Sequence, residues 1–218
     1  MVQPSAAPAF RELNETPAAG KRQPGKRIFD VFAAGLLLLL LSPLLALIAL
    51  LIACWDGRPI LHHRQVIGRN GEFAALKFRT MRPDADTWLL AHPEHLAAFQ
   101  SQFKLVNDPR ITRLGRWLRH YSLDELPQLW NVFRGQMSLV GPRMISPAEL
   151  SRFGAQARIL RTVRPGLTGY WQVYGRQQVN YAERVAMETR YIALWSWMLD
   201  LKILCLTPGR ILRGWGAY

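Results

Sequence analysis

Residues 31–55 read VFAAGLLLLLLSPLLALIALLIACW, 25 positions without a charged side chain. A spanning helix needs about 20 apolar residues, so the run is long enough to cross a bilayer. Ser42-Pro43 falls in its middle. Proline removes a backbone donor and kinks a helix, and serine can rebond a freed carbonyl locally. Proline is nonetheless tolerated in spanning helices. The flanks add a second signal. Lys21, Arg22, Lys26 and Arg27 precede the run, and Arg58, Arg64 and Arg69 follow it. Positive charge on both sides suits a segment whose two ends stay cytoplasmic. A helix–break–helix hairpin dipping into one leaflet meets that condition. On these residues alone a straight span stays open beside it.

Outward from this run, residues 1–25 are rich in Pro, Ala, Ser and Gly without apolar periodicity, and read as a mobile tail. A secretory signal peptide is not expected, because the basic cluster lies well inside the chain and the apolar run is too long. On the other side, Ile60–Ile67 and Phe73–Phe78 flank Gly68-Arg69-Asn70-Gly71, and Asn-Gly is a strong hairpin signal. Residues 84–103 read as helix interrupted near Pro93. Residues 111–120 read as a basic amphipathic helix, with another beginning near Ser122. Residues 146–163 are expected to be helical, 166–173 short and extended or turned, and 181–207 one long helix. That last element carries Trp195, Trp197, Met198, Leu201 and Leu204, and either lies on a membrane surface or serves as a core helix.

The whole chain has 218 residues and a formal net charge of +13. Length implies one domain with or without a membrane anchor. The charge favours a polyanionic partner: nucleic acid, anionic lipid or a phosphorylated substrate. The two cysteines, Cys54 and Cys205, form no zinc spacing and no disulfide framework is expected.

Carboxylates and cations supply the candidate chemistry. SLDE at 122–125 matches a capping box, in which Ser122 caps a helix and Glu125 reaches back. Taken alone, that reading is better than a catalytic one, though Pro127 sits awkwardly for it. Around it stand Lys77 and Arg79 in KFRTM, Arg110, Arg113, Arg116 and Arg119 in the 110–119 segment, and Arg143, Arg164 and Arg176 beside Gly or Pro turns. Arginine forks match phosphate oxygens, and a solvated or lipid-facing basic surface explains the 110–119 group as well. His62 and His63 are adjacent on a strand and point to opposite faces, which argues against a shared metal.

The segments KRIFD, IGRNGEF, KFRTM, NDPRITRLGRWLR, SLDELPQLWNVFRGQMSLVGPR, RPGLTGYWQVYGR and LDLKIL together resemble the bacterial sugar transferases, the monotopic phosphoglycosyl transferases. The likeness runs from about Lys26 to the C-terminus. It implies an α+β, mostly helical, monotopic protein: a tail at 1–25, a re-entrant hairpin at 26–56 broken at Ser42 and Pro43, and a small catalytic domain at 57–218 with interfacial amphipathic helices. The implied location is the cytoplasmic face of the bacterial inner membrane. The implied reaction moves a hexose-1-phosphate from a UDP-sugar to undecaprenyl phosphate. Asp124 is the implied nucleophile, Glu125 its assistant, and Mg²⁺ a requirement, with Asp124 as its ligand. Lys77, Arg79, Arg110, Arg119, Arg143, Arg164, Gln172, Arg176 and Glu188 are the expected substrate- or phosphate-binding residues.

The block at 86–112 resembles the subgroup that transfers galactose- or glucose-1-phosphate, galactose being favoured. Membrane lipid is an expected partner, nucleic acid is not, and a homodimer is among the expected states. Three positions depart from the family's habit: Met144 replaces a proline after Gly-Pro-Arg, Glu188 stands where aspartate is common, and Tyr174 precedes Gly-Arg where Asn or Ser is common. The competing reading is a non-catalytic basic protein of membrane surfaces or nucleic acid. It leaves the Asp-Glu pair amid arginines without a reason.

Overall fold

The computed structural model describes residues 24–102, 105, 107–175 and 179–212. The expected tail therefore lies outside the described residues, apart from positions 24 and 25, which already belong to the first helix.

Helix α1 runs from Pro24 to Trp55 without interruption. The expected break at Ser42-Pro43 is thus not a gap in the helix. Pro43 lacks the N–H that would serve the carbonyl of Leu39, and the Ser42 hydroxyl donates to that carbonyl instead, at 2.8 Å. The helix is long and apolar enough to cross a membrane, and it leaves Phe32, Leu39, Leu40, Leu50 and Trp55 exposed.

A two-stranded antiparallel hairpin follows, β1 (Leu61–Gly68) and β2 (Gly71–Phe78). The register pairs His62 with Lys77 and Gly68 with Gly71, leaving Arg69-Asn70 as the connection. Two short helices, α2 (Ala85–Leu90) and α3 (Pro93–Gln102), bear out the helical reading with its interruption near Pro93. Next comes α4 (Arg113–His120), capped by the Thr112 hydroxyl accepting the Gly115 N–H at 2.9 Å.

After α4 the structure departs from expectation. Ser122 adopts a left-handed conformation (φ +53°) and caps nothing. Leu123–Glu125 form one 3₁₀ turn, and the helix proper, α5, is Gln128–Phe133 with Pro127 at its N-cap. Beyond α5 lie β3 (Ser138–Val140), α6 (Pro147–Leu150), a 3₁₀ segment at Ser151–Gln156, α7 (Ala157–Leu160) and β4 (Gly166–Thr168), which pairs parallel with β3. Of 166–173, read as extended or turned, β4 is extended and Tyr170–Tyr174 form the short helix α8. The expected single helix over 181–207 is two: α9 (Tyr181–Ala193) and α10 (Trp197–Leu212). The break has a local cause. The Ser196 hydroxyl accepts the Leu199 N–H at 3.2 Å and starts a new helix.

Three apolar clusters hold these pieces together. Ala34 of α1 joins Leu129, Val132, Leu139, Val140, Tyr191 and Ile203. Ile48 and Ile52, also from α1, join Phe78 and Leu118. The third unites Ile67, Ile145 and Phe153. Both halves of α1 therefore pack on the remainder of the fold, and its two ends are held by polar contacts. Lys26 pairs with Asp200, and Arg27 donates to the carbonyls of Val132 and Phe133 at 2.6 and 2.8 Å. At the far end Thr112 donates to the Asp56 carboxylate at 2.8 Å, and Arg79 donates to the Asp56 and Gly57 carbonyls at 2.6 Å each.

Candidate active site

Three elements deliver the charged groups. Lys77 comes from β2, Asp124 and Glu125 from the 3₁₀ turn, and Arg143 from the turn after β3. Glu125 is fully engaged: Arg143 Nη1 donates to its Oε2 at 2.7 Å, Arg143 Nη2 reaches Oε1, and Lys77 Nζ donates to Oε1 at 2.7 Å. This bidentate fork is the charge-assisted geometry that arginine forms with carboxylates. Burial pushes the Glu125 carboxyl up, but Arg143 and Lys77 outweigh it and hold it well below the usual range. Burial likewise works against the Arg143 charge, and the Glu125 carboxylate more than restores it.

Asp124 is treated differently. Its side chain is 9% exposed, its nearest cation is Lys77 at 3.7 Å, and it makes no hydrogen bond among the described residues. Burial raises its pKa, against the pull of Lys77, Arg119 and Arg143. Two adjacent carboxylates thus have opposite states. One is locked, the other is poorly solvated and uncommitted, which suits a nucleophile or a ligand.

Arg119 approaches from α4, anchored by Nε donating to the Thr80 hydroxyl at 2.8 Å. Its pKa is lowered by burial and raised by Asp124 and Asp108. Gly115 permits this placement, since a Cβ there would lie 2.1 Å from the Thr80 carbonyl oxygen. Behind Arg143, Glu188 on α9 is wholly buried and accepts the Arg143 backbone N–H at 2.8 Å. Burial raises the Glu188 carboxyl to about 7, with Arg143 and Arg184 pulling the other way. Glu188 thus supports the turn that carries Arg143, through the Arg143 backbone N–H.

The structure brings Lys77, Arg119, Asp124, Glu125 and Arg143 together. Glu188 supports Arg143 from behind, and the remaining expected residues among those described bond to other parts of the fold. Arg79 is buried against the end of α1. Arg110 is locked to Asp108 through two bonds, Nε at 2.9 Å and Nη2 at 2.7 Å. Arg164 donates to the Gly135 carbonyl at 2.7 Å, and Gln172 donates to the Leu167 carbonyl at 3.3 Å. Each of these has a partner within the fold, while the buried Nε and Nη1 of Arg79 have none among the described residues. Arg176 lies outside the described residues.

Sequence reading missed Arg64. It bonds Glu149 at 3.0 Å, and Arg143 and Glu125 act on its charge, so it borders the site. The signal was available: cross-strand partners share a face, so His62 with Lys77 and Arg64 with Ala75 place Arg64 on the face of Lys77. Arg184, which approaches Glu149 at 3.6 Å and stacks on Trp171 at 4.6 Å, had no such signal.

A divalent cation has limited means of attachment here. No group of three or more His, Cys, Asp or Glu side chains gathers to hold one among the described residues. Glu125 has both oxygens occupied, and Asp124 is the available carboxylate. This fits Mg²⁺, which commonly takes one or two carboxylates and completes its shell with substrate phosphates and water. It does not fit a cation that needs a protein cage.

Comparison with known proteins places the chain in a family. The family model described as bacterial sugar transferase matches residues 21–214. A UDP-galactose-lipid carrier transferase of Erwinia amylovora is 44% identical over 198 residues, 88% of this chain and 41% of that protein. An exopolysaccharide production protein of Rhizobium meliloti is 44% identical over 198 residues, 88% of each chain. An undecaprenyl-phosphate glucose phosphotransferase of Komagataeibacter xylinus is 41% identical over 197 residues, 85% of this chain and 35% of that protein. The chain spans less than half the length of the Erwinia and Komagataeibacter proteins and most of the Rhizobium one. With a family match over nearly its whole length and relatives above 40% identity, the chain belongs to the bacterial sugar transferase family.

Proposed function

We propose that the protein transfers a hexose-1-phosphate from a UDP-sugar to undecaprenyl phosphate, through a covalent intermediate on Asp124, at the start of exopolysaccharide, capsule or O-antigen synthesis. The observation that carries the reading is the asymmetry of the dyad: Glu125 is immobilised by Arg143 and Lys77, and Asp124 is left without a hydrogen bond beside them. An Asp124 oxygen attacks the β-phosphorus, the bond to the bridging oxygen breaks, and UMP leaves with that oxygen. An oxygen of undecaprenyl phosphate then attacks the same phosphorus and Asp124 departs as carboxylate, leaving a diphosphate-linked sugar. A carboxylate nucleophile divides one difficult transfer into two.

Phosphoryl transfer needs positioning and charge stabilisation more than covalent help. Lys77 and Arg119 supply fixed positive charge beside Asp124, and Arg143 holds Glu125 in place. Asp124, with the diphosphate oxygens, is the residue that would hold Mg²⁺, which when bound neutralises phosphate charge. Galactose is the favoured sugar and glucose the second, in line with the names of the Erwinia and Komagataeibacter relatives. The test is UMP release from a UDP-sugar panel with purified protein and undecaprenyl phosphate. Asp124→Asn is expected to abolish release. Release that survives it removes Asp124 as nucleophile, and release from neither UDP-galactose nor UDP-glucose removes the substrate assignment.

Topologically, we read α1 as re-entrant, with the protein on the cytoplasmic face of the inner membrane. Support comes from the two ends of α1, both held by one and the same folded body. A straight crossing would part them. Trp117, Trp130, Phe133 and Trp197 are exposed, and aromatic side chains favour the headgroup zone. Single cysteines at Ser5 and Asp84, in a background with Cys54 and Cys205 replaced by serine, are expected to resist an impermeant maleimide added outside. Labelling at one of the two positions alone would establish a straight span.

A further inference from the structure

The membrane helix is tied to the strand that delivers Arg143. Asp30, buried in α1, accepts the backbone N–H of Leu139 in β3 at 3.0 Å. Four residues earlier, Lys26 pairs with Asp200 of α10. Asp200 also accepts the Tyr191 hydroxyl at 2.8 Å and Trp195 Nε1 at 3.0 Å. The Tyr191 hydroxyl, with one hydrogen to share, lies 3.2 Å from the Val140 carbonyl. Three residues before Tyr191 on α9, Glu188 accepts the N–H of Arg143. Between these points the Gly141 N–H donates to the Thr168 carbonyl at 3.0 Å. The backbone from 139 to 143 is therefore held by one carboxylate of α1, two groups of α9 and the Thr168 carbonyl, and Tyr191 of α9 and Lys26 of α1 meet at Asp200.

None of Asp30, Tyr191 and Asp200 bonds to the dyad, so the reaction does not use them directly. Burial works against the Asp30 charge, and the Leu139 N–H, Lys26, Ser138 and Arg27 work for it. What Asp30, Tyr191 and Asp200 share is the position of the Arg143 turn. We propose that Asp30, together with the Lys26–Asp200–Tyr191 chain, positions Arg143, so that catalytic competence follows the seating of α1 on the core. Asp30, Tyr191 and Asp200 are positioning residues. A membrane or detergent that lifts α1 loosens β3 first and the Arg143–Glu125 fork second. This rests on the role given to Arg143 in the proposed reaction.

The test uses the full chain in nanodiscs, with two readouts: backbone hydrogen exchange over 138–143, and steady-state UMP release. Asp30→Ala is expected to speed exchange at Leu139 and Arg143 by about tenfold. It should lower kcat by about tenfold and change KM for the UDP-sugar by less than about twofold. Asp30→Asn keeps an acceptor oxygen and should retain most of both. In an Arg143→Lys background, Asp30→Ala should cost less than about twofold more, since coupled positions are not additive. Unchanged exchange at Arg143, or a full tenfold loss in the Arg143→Lys background, overturns the proposal. Should Asp30→Ala fail to fold, Tyr191→Phe removes one hydroxyl oxygen and carries the same expectations. If the native chain releases no UMP, the proposed reaction falls and the exchange arm still decides the coupling.

Discussion

Asp124 and Glu125 are chemically near-identical neighbours, and the structure assigns them unlike work through what surrounds each. Lys77 and Arg143 bond Glu125 and merely attract Asp124. Asp124→Asn should therefore lower UMP release by about 10³-fold or more with little change in melting temperature, as removal of a nucleophile does. Glu125→Gln should act on both properties. It leaves two buried cations without their carboxylate, at a cost of about 3 kcal/mol in stability, measurable by thermal melting in detergent. Glu188 supports a pH prediction. Its folded-state carboxyl is raised to about 7 from 4.5, so between those values the folded protein binds a proton that the unfolded chain releases. The stability it contributes is full below about pH 4.5 and is lost as pH rises through about 7. Glu188→Gln should flatten that part of the stability–pH curve, and an unchanged slope would remove Glu188 as its source.

At the scale of elements, two contacts decide how helices sit. In α1, Ser42 serves the carbonyl that Pro43 leaves without a donor. Ser42→Ala should destabilise the chain by about 1 kcal/mol, the worth of one hydrogen bond. Adding Pro43→Ala restores an N–H for the Leu39 carbonyl and should recover most of that loss in the same melting measurement. In α4, Gly115 lies against the Thr80 backbone, where a Cβ would meet the carbonyl oxygen at 2.1 Å. Gly115→Val must push α4 away, at about 1–3 kcal/mol. It should also reduce UMP release, because Arg119 rides on that helix and is fixed to Thr80.

For the whole molecule, α1 is part of the core as well as a helix long and apolar enough to cross a membrane. It supplies Ala34 to one apolar cluster and Ile48 and Ile52 to another. A chain beginning at residue 57 exposes what those side chains cover. It should show no cooperative thermal transition by circular dichroism, whereas the full chain in detergent should. A sharp transition in the truncated chain would mean that the remainder folds without α1.

What the residues alone determined was local and periodic. The apolar run at 31–55, the Asn-Gly hairpin, the interruption near Pro93 and the family motifs were legible because each is written in adjacent or regularly spaced positions. The reading of SLDE as a capping box went wrong for the same reason. Spacing alone could not show that Lys77, 48 positions away, and Arg143, 18 positions away, bond Glu125 more strongly than a helix N-terminus does. Arg79, Arg110 and Arg164 looked like phosphate ligands by type, and only their contacts revealed inner partners: the end of α1, Asp108 and the Gly135 carbonyl. The tertiary structure alone decided which carboxylate stayed uncommitted and where Arg79 and Arg164 turned, because a charged side chain takes its role from its nearest polar partners and from its loss of water, and there both are set by chain segments distant in sequence; Arg110, paired with Asp108 two positions earlier, is the local exception.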